Sequence, residues 1–223
     1  MILATTIQCR DYSTRIKLKS VRPFYKGMSI LEIIIRRLKM VYRKRNLFVL
    51  TTANSVKTQE QADDMGVKVF IGNEEDVYDR FFKFVIRYQP EGVIRICADN
   101  PLFSMALMFP IEKWGRSGLY DYVSFKDAML REEGLFCEYI SEAALTGMKN
   151  KPMTDYDREH VTPYIYNHPD EYRLKILPIP PIMDEIHMRL TVDTKVDFKI
   201  AQKIYNSVGE NYWGNIYNME VKF

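Results

Sequence analysis

Apolar runs alternate with helical patterns through the first hundred residues, and this alternation restricts the fold more than any other feature of the chain. Residues 2–7 read as a buried strand. Ser29 opens a helix, with Glu32 completing a capping box ahead of Ile30, Ile33, Ile34 and Leu38. Residues 47–50 form a second strand, and 55–65 a helix ended by Gly66. Residues 67–71 form a third strand. Residues 75–88 form a third helix, with Val77, Phe81, Phe82 and Val85 on one face. Residues 93–96 form a fourth strand, stopped by Asp99-Asn100-Pro101. This rhythm predicts an α/β fold: a three-layer, Rossmann-like arrangement around a mostly parallel, mixed sheet. Right-handed crossovers put the strand C-termini on one edge, where such sheets bind ligands. The polar stretches 8–19 and 51–55, together with Asp99, are expected to converge there.

The second half is less regular. Residues 122–124, 136–140, 172–176 and 187–192 read as strands, and 141–148, 155–167 and 196–205 as helices. The Pro-rich stretch 178–181 reads as an extended connector. A chain of 223 residues suits one domain, 1–223. The formal charge of +3 gives no reason to expect nucleic acid. No apolar run approaches the ~20 residues of a membrane span. Cys9, Cys97 and Cys137 fit neither a disulfide framework nor a zinc pattern, and a reducing, cytoplasmic setting accommodates them. The apolar start is too short, and lacks the basic flank, for a signal peptide.

Two features suggest chemistry. The loop after the first strand carries Arg10, Arg15, Lys17, Lys19, Arg22 and Lys26 beside Ser13 and Thr14. Arginine forks and mobile lysine charges beside hydroxyls are what a polyphosphate requires. The loop lacks the glycine-rich cradle of a P-loop, and the same cations also read as a solvated face. Asp99 and Asp193 each follow a strand. Two carboxylates meeting at one edge suit magnesium, which takes one or two carboxylates, water and substrate phosphates. Each also has a structural reading, Asp193 as a helix N-cap and Asp99 as a turn residue. His160 divides in the same way between a polar site face and packing. His168 and His187 read as structural, and the aromatic helix carrying Tyr78, Phe81, Phe82, Phe84 and Tyr88 reads as core.

The run Ile7-Gln8-Cys9-Arg10-Asp11-Tyr12-Ser13-Thr14-Arg15-Ile16-Lys17-Leu18-Lys19 resembles the Q-A-R-x-x-S-T-R-L-P-x-K loop of the cytidylyltransferases. That family includes the spore-coat-polysaccharide type and the CMP-ketodeoxyoctonate synthetases. Three further stretches resemble the spore-coat branch: 72–81, 95–102 and 158–166. Arg189-Leu190-Thr191-Val192-Asp193-Thr194, with Asp197, is similar to the family's last metal-side motif. The matches run in order from about residue 2 to about 207.

The resemblance implies a magnesium-dependent nucleotidyltransferase that carries CMP from CTP to an acidic sugar, phosphosugar or related acceptor and releases pyrophosphate. Surface polysaccharide biosynthesis is the implied setting and a homodimer a possible assembly. It implies that Gln8, Arg10, Ser13, Arg15 and Lys19 hold the nucleotide, with Arg10 and Lys19 nearest the reacting charge. Thr51 and Thr52 would lie near the base, and Asp76 and Arg80 would help order the nucleotide or acceptor side. The resemblance makes 1–100 a nucleotide-binding half and 101–223 an acceptor-binding and metal-side half. Arg95, Glu138, Arg158 and His160 would face the acceptor, and Asp99 and Asp193 would bind magnesium.

The chain departs from the pattern at Tyr12, where the family has glycine, and at Lys17, where it has proline. Tyr25-Lys26-Gly27-Met28 replaces a Gly-Gly-Lys-Pro, and Phe136 stands where an acidic residue is common. Two other classes remain open. A glycosyltransferase on a similar scaffold would carry Asp-x-Asp at the end of a central strand, where 97–100 holds a single carboxylate. A non-catalytic nucleotide-binding protein of the same pathway would not need the set Lys19, Asp99 and Asp193.

Overall fold

The computed structural model describes residues 2–13, 15–42, 46–125, 134–178 and 190–209. Its central sheet has seven strands in the order β5-β4-β1-β6-β8-β7-β9. These are β1 (Leu3–Gln8), β4 (Leu47–Thr52), β5 (Lys68–Gly72), β6 (Gly92–Cys97), β7 (Tyr122–Ser124), β8 (Glu138–Ser141) and β9 (Leu174–Ile176). The β5-β4-β1-β6 core is parallel. β8 pairs antiparallel with β6 and β7, and β9 runs parallel to β7. A separate hairpin of β2 (Pro23–Tyr25) and β3 (Met28–Ser29) lies within the basic stretch that sequence reads as loop.

Side-chain alternation divides the core into two layers. Leu47 and Val49 join the cluster on one face, beneath α1 (Ile30–Val41) and α4 (Met105–Gly115). Phe48 and Leu50 join the other, beneath α3 (Val77–Tyr88) and α5 (Glu142–Gly147). The expected Ser29–Glu32 capping box closes the start of α1. α2 (Val56–Asp64) is capped differently. Ser55 makes no side-chain cap, and the buried Asp11 accepts from Lys57 N (2.8 Å), Thr58 N (3.0 Å) and Thr58 Oγ1 (2.7 Å). The basic loop is thereby tied to a helix N-terminus.

The second half corrects several expectations. α4 lies where sequence suggested no element; Pro101 and the internal Pro110 obscure a helix that packs through Met105, Leu107, Met108 and Ile111. The helix expected over 155–167 divides into α6 (Asp155–His160) and α7 (Pro163–Asn167). Between them Val161 adopts φ 71°, ψ −54°, and Thr162 N donates to the His160 carbonyl at 2.9 Å, closing a γ-turn. Of the strand expected over 187–192, residues 190–192 are not part of a strand, and 187–189 lie outside the described residues. α8 (Lys195–Val208) closes the fold with Thr194, not Asp193, as its N-cap. Among the described residues no helix is long and apolar enough to cross a membrane.

Candidate active site

The parallel core places the C-terminal ends of β1 and β6 side by side, with Gln8 in register with Cys97. The basic loop leaves β1 there, and Asp99 lies two residues past β6. Leu18 takes a left-handed conformation (φ 59°), so the loop turns immediately before Lys19. The Lys19 ammonium donates to Asp99 Oδ2 at 3.0 Å, to Asp193 Oδ1 at 3.2 Å and to the Val192 carbonyl at 2.8 Å. Arg15 donates to the same Asp193 Oδ1 at 2.9 Å. Val192 N donates to the Asp99 carbonyl at 2.8 Å, which fixes the 190–193 segment beside β6. Gly134 allows this approach: at φ 68°, a Cβ there would lie 2.8 Å from Thr191 N. Burial pushes the Lys19 pKa down, but Asp99 and then Asp193 outweigh it and the net shift is upward.

These groups line one cavity of about 540 Å³, within the roughly 300–1,000 Å³ usual for small-molecule sites. Of the residues expected at the nucleotide, Gln8, Arg10, Ser13, Arg15 and Lys19 line it, as do both aspartates. Arg10 is partly exposed and faces Glu159 across 3.9 Å.

Arg95, Glu138 and His160 line the same cavity. Arg95 and Glu138 are directly opposed across the antiparallel β6–β8 pair. They form a buried ion pair at 2.6 Å, each side chain only 9% exposed. Arg95 Nε also donates to Gln8 Oε1 at 3.1 Å. Glu138 Oε1 accepts from Tyr122 OH at 2.5 Å and from Thr162 Oγ1 at 3.0 Å. The γ-turn at Val161 thus separates a cavity residue, His160, from a hydroxyl that holds Glu138. Cys97 also lines the cavity; burial raises its thiol to about 11, with Arg95 opposing, so it is neutral and a poor nucleophile at physiological pH.

Five expected residues do not line the cavity. Thr51 and Thr52 are buried at the end of β4, and the Thr52 hydroxyl pairs with that of Ser55 at 2.8 Å. Asp76 caps α3 through Asp79 N and binds Arg158 at 2.6 Å, so Arg158 anchors α6 to α3. Arg80 is fully buried and grips the Asn73 carbonyl through Nε (3.0 Å) and Nη2 (2.6 Å), bracing the turn before α3. Burial, and then the nearby Arg10 charge, lower its pKa to about 10. His168, read as structural, holds the Tyr164 carbonyl at 2.7 Å and stacks on that ring; His187 lies outside the described residues.

Sequence reasoning missed Glu159, Gly134 and Thr191 as cavity walls. Glu159 carried a signal, standing between two predicted site residues. Asp99 and Asp193 supply hard oxygen donors, the chemistry a divalent cation such as magnesium or manganese takes, and the Lys19 cation already lies between them. Among the described residues no cluster of three histidine, cysteine or acidic side chains offers a softer, fuller metal cage.

The basic loop, Asp99 and Asp193 thus meet at one cavity. Residues 4–220 match the cytidylyltransferase family model. The chain belongs to the cytidylyltransferase family. It is 32% identical over 216 residues to the spore coat polysaccharide biosynthesis protein SpsF of Bacillus subtilis, covering 92% of this chain and 86% of that protein. A cytidylyltransferase structure from Leptospira borgpetersenii superposes with a TM-score of 0.84 at 26% identity, over 93% of this chain and 87% of that one. The structure of CMP:2-keto-3-deoxy-manno-octonic acid synthetase complexed with CTP shares the fold, with a TM-score of 0.70 at 11% identity over 93% and 99% of the two chains. This cytidylyltransferase-family chain is a nucleotidyltransferase with a mostly parallel α/β sheet.

Proposed function

We propose that the chain transfers CMP from CTP to an acidic sugar, phosphosugar or related acceptor, with magnesium as the cation and pyrophosphate as the leaving group, in surface polysaccharide or glycan biosynthesis. The observation that carries this reading is the junction of Lys19 with Asp99 and Asp193 at the mouth of a cavity walled by the basic loop. The similarity to SpsF and to a CTP-complexed synthetase supports the substrate and the pathway class.

Arg10, Ser13, Arg15 and Lys19 bind the triphosphate and offset charge at the α-phosphate and the departing pyrophosphate. Such transfer depends on positioning and charge neutralisation more than on covalent help. Magnesium, held by Asp99 and Asp193, supplies further neutralisation when bound. The Arg95–Glu138 pair, anchored to Gln8, Tyr122 and Thr162, is a rigid wall against which an acceptor oxygen is oriented. Thr51 and Thr52 at the end of β4, Arg80 in the turn before α3 and the Asp76–Arg158 pair brace elements next to this site. A pyrophosphate-release assay of each nucleoside triphosphate against acidic sugars, phosphosugars and phosphonates tests the reading. CTP-selective release that requires an acceptor is expected. Binding of CTP with no release across the panel refutes catalysis.

A further inference from the structure

Lys19 stands in a position that conflicts with its proposed task. An ammonium has three N–H donors. All three are committed here: to Asp99 at 3.0 Å, to Asp193 at 3.2 Å and to the Val192 carbonyl at 2.8 Å. None remains for a phosphate oxygen. The same two carboxylates are the ones a divalent cation would take. The side chains of Lys19, Asp99 and Asp193 are only 12%, 26% and 15% exposed, so water competes weakly for these contacts.

We propose that Lys19 is an internal placeholder for the metal: its ammonium occupies the aspartate pair in the nucleotide-free protein and is exchanged onto the phosphates when metal and nucleotide arrive together. The inference rests on the proposed nucleotidyl-transfer reading and adds an ordering to it. A metal ion alone must displace the ammonium with nothing to receive it. A nucleotide alone meets a lysine with no free donor. Each ligand removes the obstacle to the other, so the two bind with positive coupling. Arg15 also contacts Asp193 Oδ1, but its side chain is 57% exposed and, among the described residues, it pairs with one aspartate. It serves as a control of equal charge.

The test uses the full chain and manganese as an EPR-visible probe, without nucleotide, in the wild type, Lys19→Gln and Arg15→Gln. Circular dichroism checks the fold, and Lys19→Met repeats the measurement with a longer apolar stem. The exchange predicts that either Lys19 variant binds manganese about tenfold more tightly than wild type, within the roughly 5–150-fold range of coupled sites. It also predicts that Arg15→Gln gains about threefold at most, as expected of an exposed charge. Equal gains in the Lys19 and Arg15 variants overturn the exchange, because charge removal alone then explains them. So does no gain at Lys19.

A second arm adds a CTP analogue with a methylene between the α- and β-phosphorus. Wild type is expected to bind analogue and manganese synergistically, and Lys19→Gln to lose most of the synergy. Full synergy in Lys19→Gln overturns the exchange while leaving CTP chemistry intact. Absence of both ligands from every protein overturns the functional reading and the exchange with it.

Discussion

Glu138→Gln isolates the contribution of the buried ion pair. The amide keeps the shape and one oxygen for Tyr122 and Thr162, but it removes the charge that faces Arg95 at 2.6 Å. Both partners are about nine-tenths buried, so the guanidinium left behind cannot recover full hydration. Removing one partner of such a pair costs about 3–5 kcal/mol. For a chain of this length that corresponds to a fall in Tm of about 6–20 °C. Urea unfolding of the wild type, Glu138→Gln, Arg95→Met and the double variant measures it. The double variant is expected to recover part of the loss, with an interaction energy of about 0.5–3 kcal/mol. A single-variant loss below about 1 kcal/mol, or strict additivity in the double variant, refutes the claim that the pair is desolvated and mutually dependent.

Three further outcomes are expected. Lys19→Ala and Asp99→Asn should retain the fold by circular dichroism and lose about 2.7–4 kcal/mol of barrier stabilisation in pyrophosphate release; wild-type rates in either would remove both from the site. Asp11→Ala strands the Lys57 and Thr58 N–H groups and should cost about 1–3 kcal/mol in urea unfolding, whereas an unchanged midpoint would make that cap irrelevant. The Asp121 pKa is held below its ordinary 3.8, first by Arg173, so its stabilisation is present above 3.8 and lost as pH falls through the folded value; Asp121→Asn should flatten the acid limb of the stability–pH curve, and an identical limb in both proteins would contradict this.

The first hundred residues were legible because their signals are local. In the main sheet, strands of five or six residues alternate with helices of nine to twelve and the expected ends differ from the observed ones by a residue or two, whereas the short β2–β3 hairpin offers no period and reads as loop. The strand-end rule also anticipated that the basic loop and Asp99 share an edge, and Lys19 meets Asp99 there across 80 residues; Asp193, 174 residues from Lys19, reaches the same point from a segment that is not a strand. Beyond residue 100 the strands expected at 122–124 and 172–176 match β7 and β9, whereas Pro110 interrupts the pattern of α4, for which the sequence suggests no element. Val161 offered no warning at all. A β-branched side chain is among the last expected at positive φ, yet the turn is closed there by Thr162 N donating to the His160 carbonyl. The resemblance carries Arg158 and Asp76 to the ligand side without saying which neighbour satisfies their charge; in the structure they pair with each other.

The change of strand direction between β6 and β8 explains why one cavity holds two chemistries. Parallel strands bring loops to their C-terminal ends, and from those loops come Lys19 and Asp99. The antiparallel neighbour brings its first residue, Glu138, to the same edge as part of the strand itself, directly opposite Arg95. Under the proposed reading, the nucleotide end is therefore made of side chains on loops that exchange partners as ligands arrive. The acceptor end is made of side chains fixed by strand register. Changes in the loop should alter metal and nucleotide binding together, while changes at the Arg95–Glu138 wall should alter stability first and acceptor choice with it.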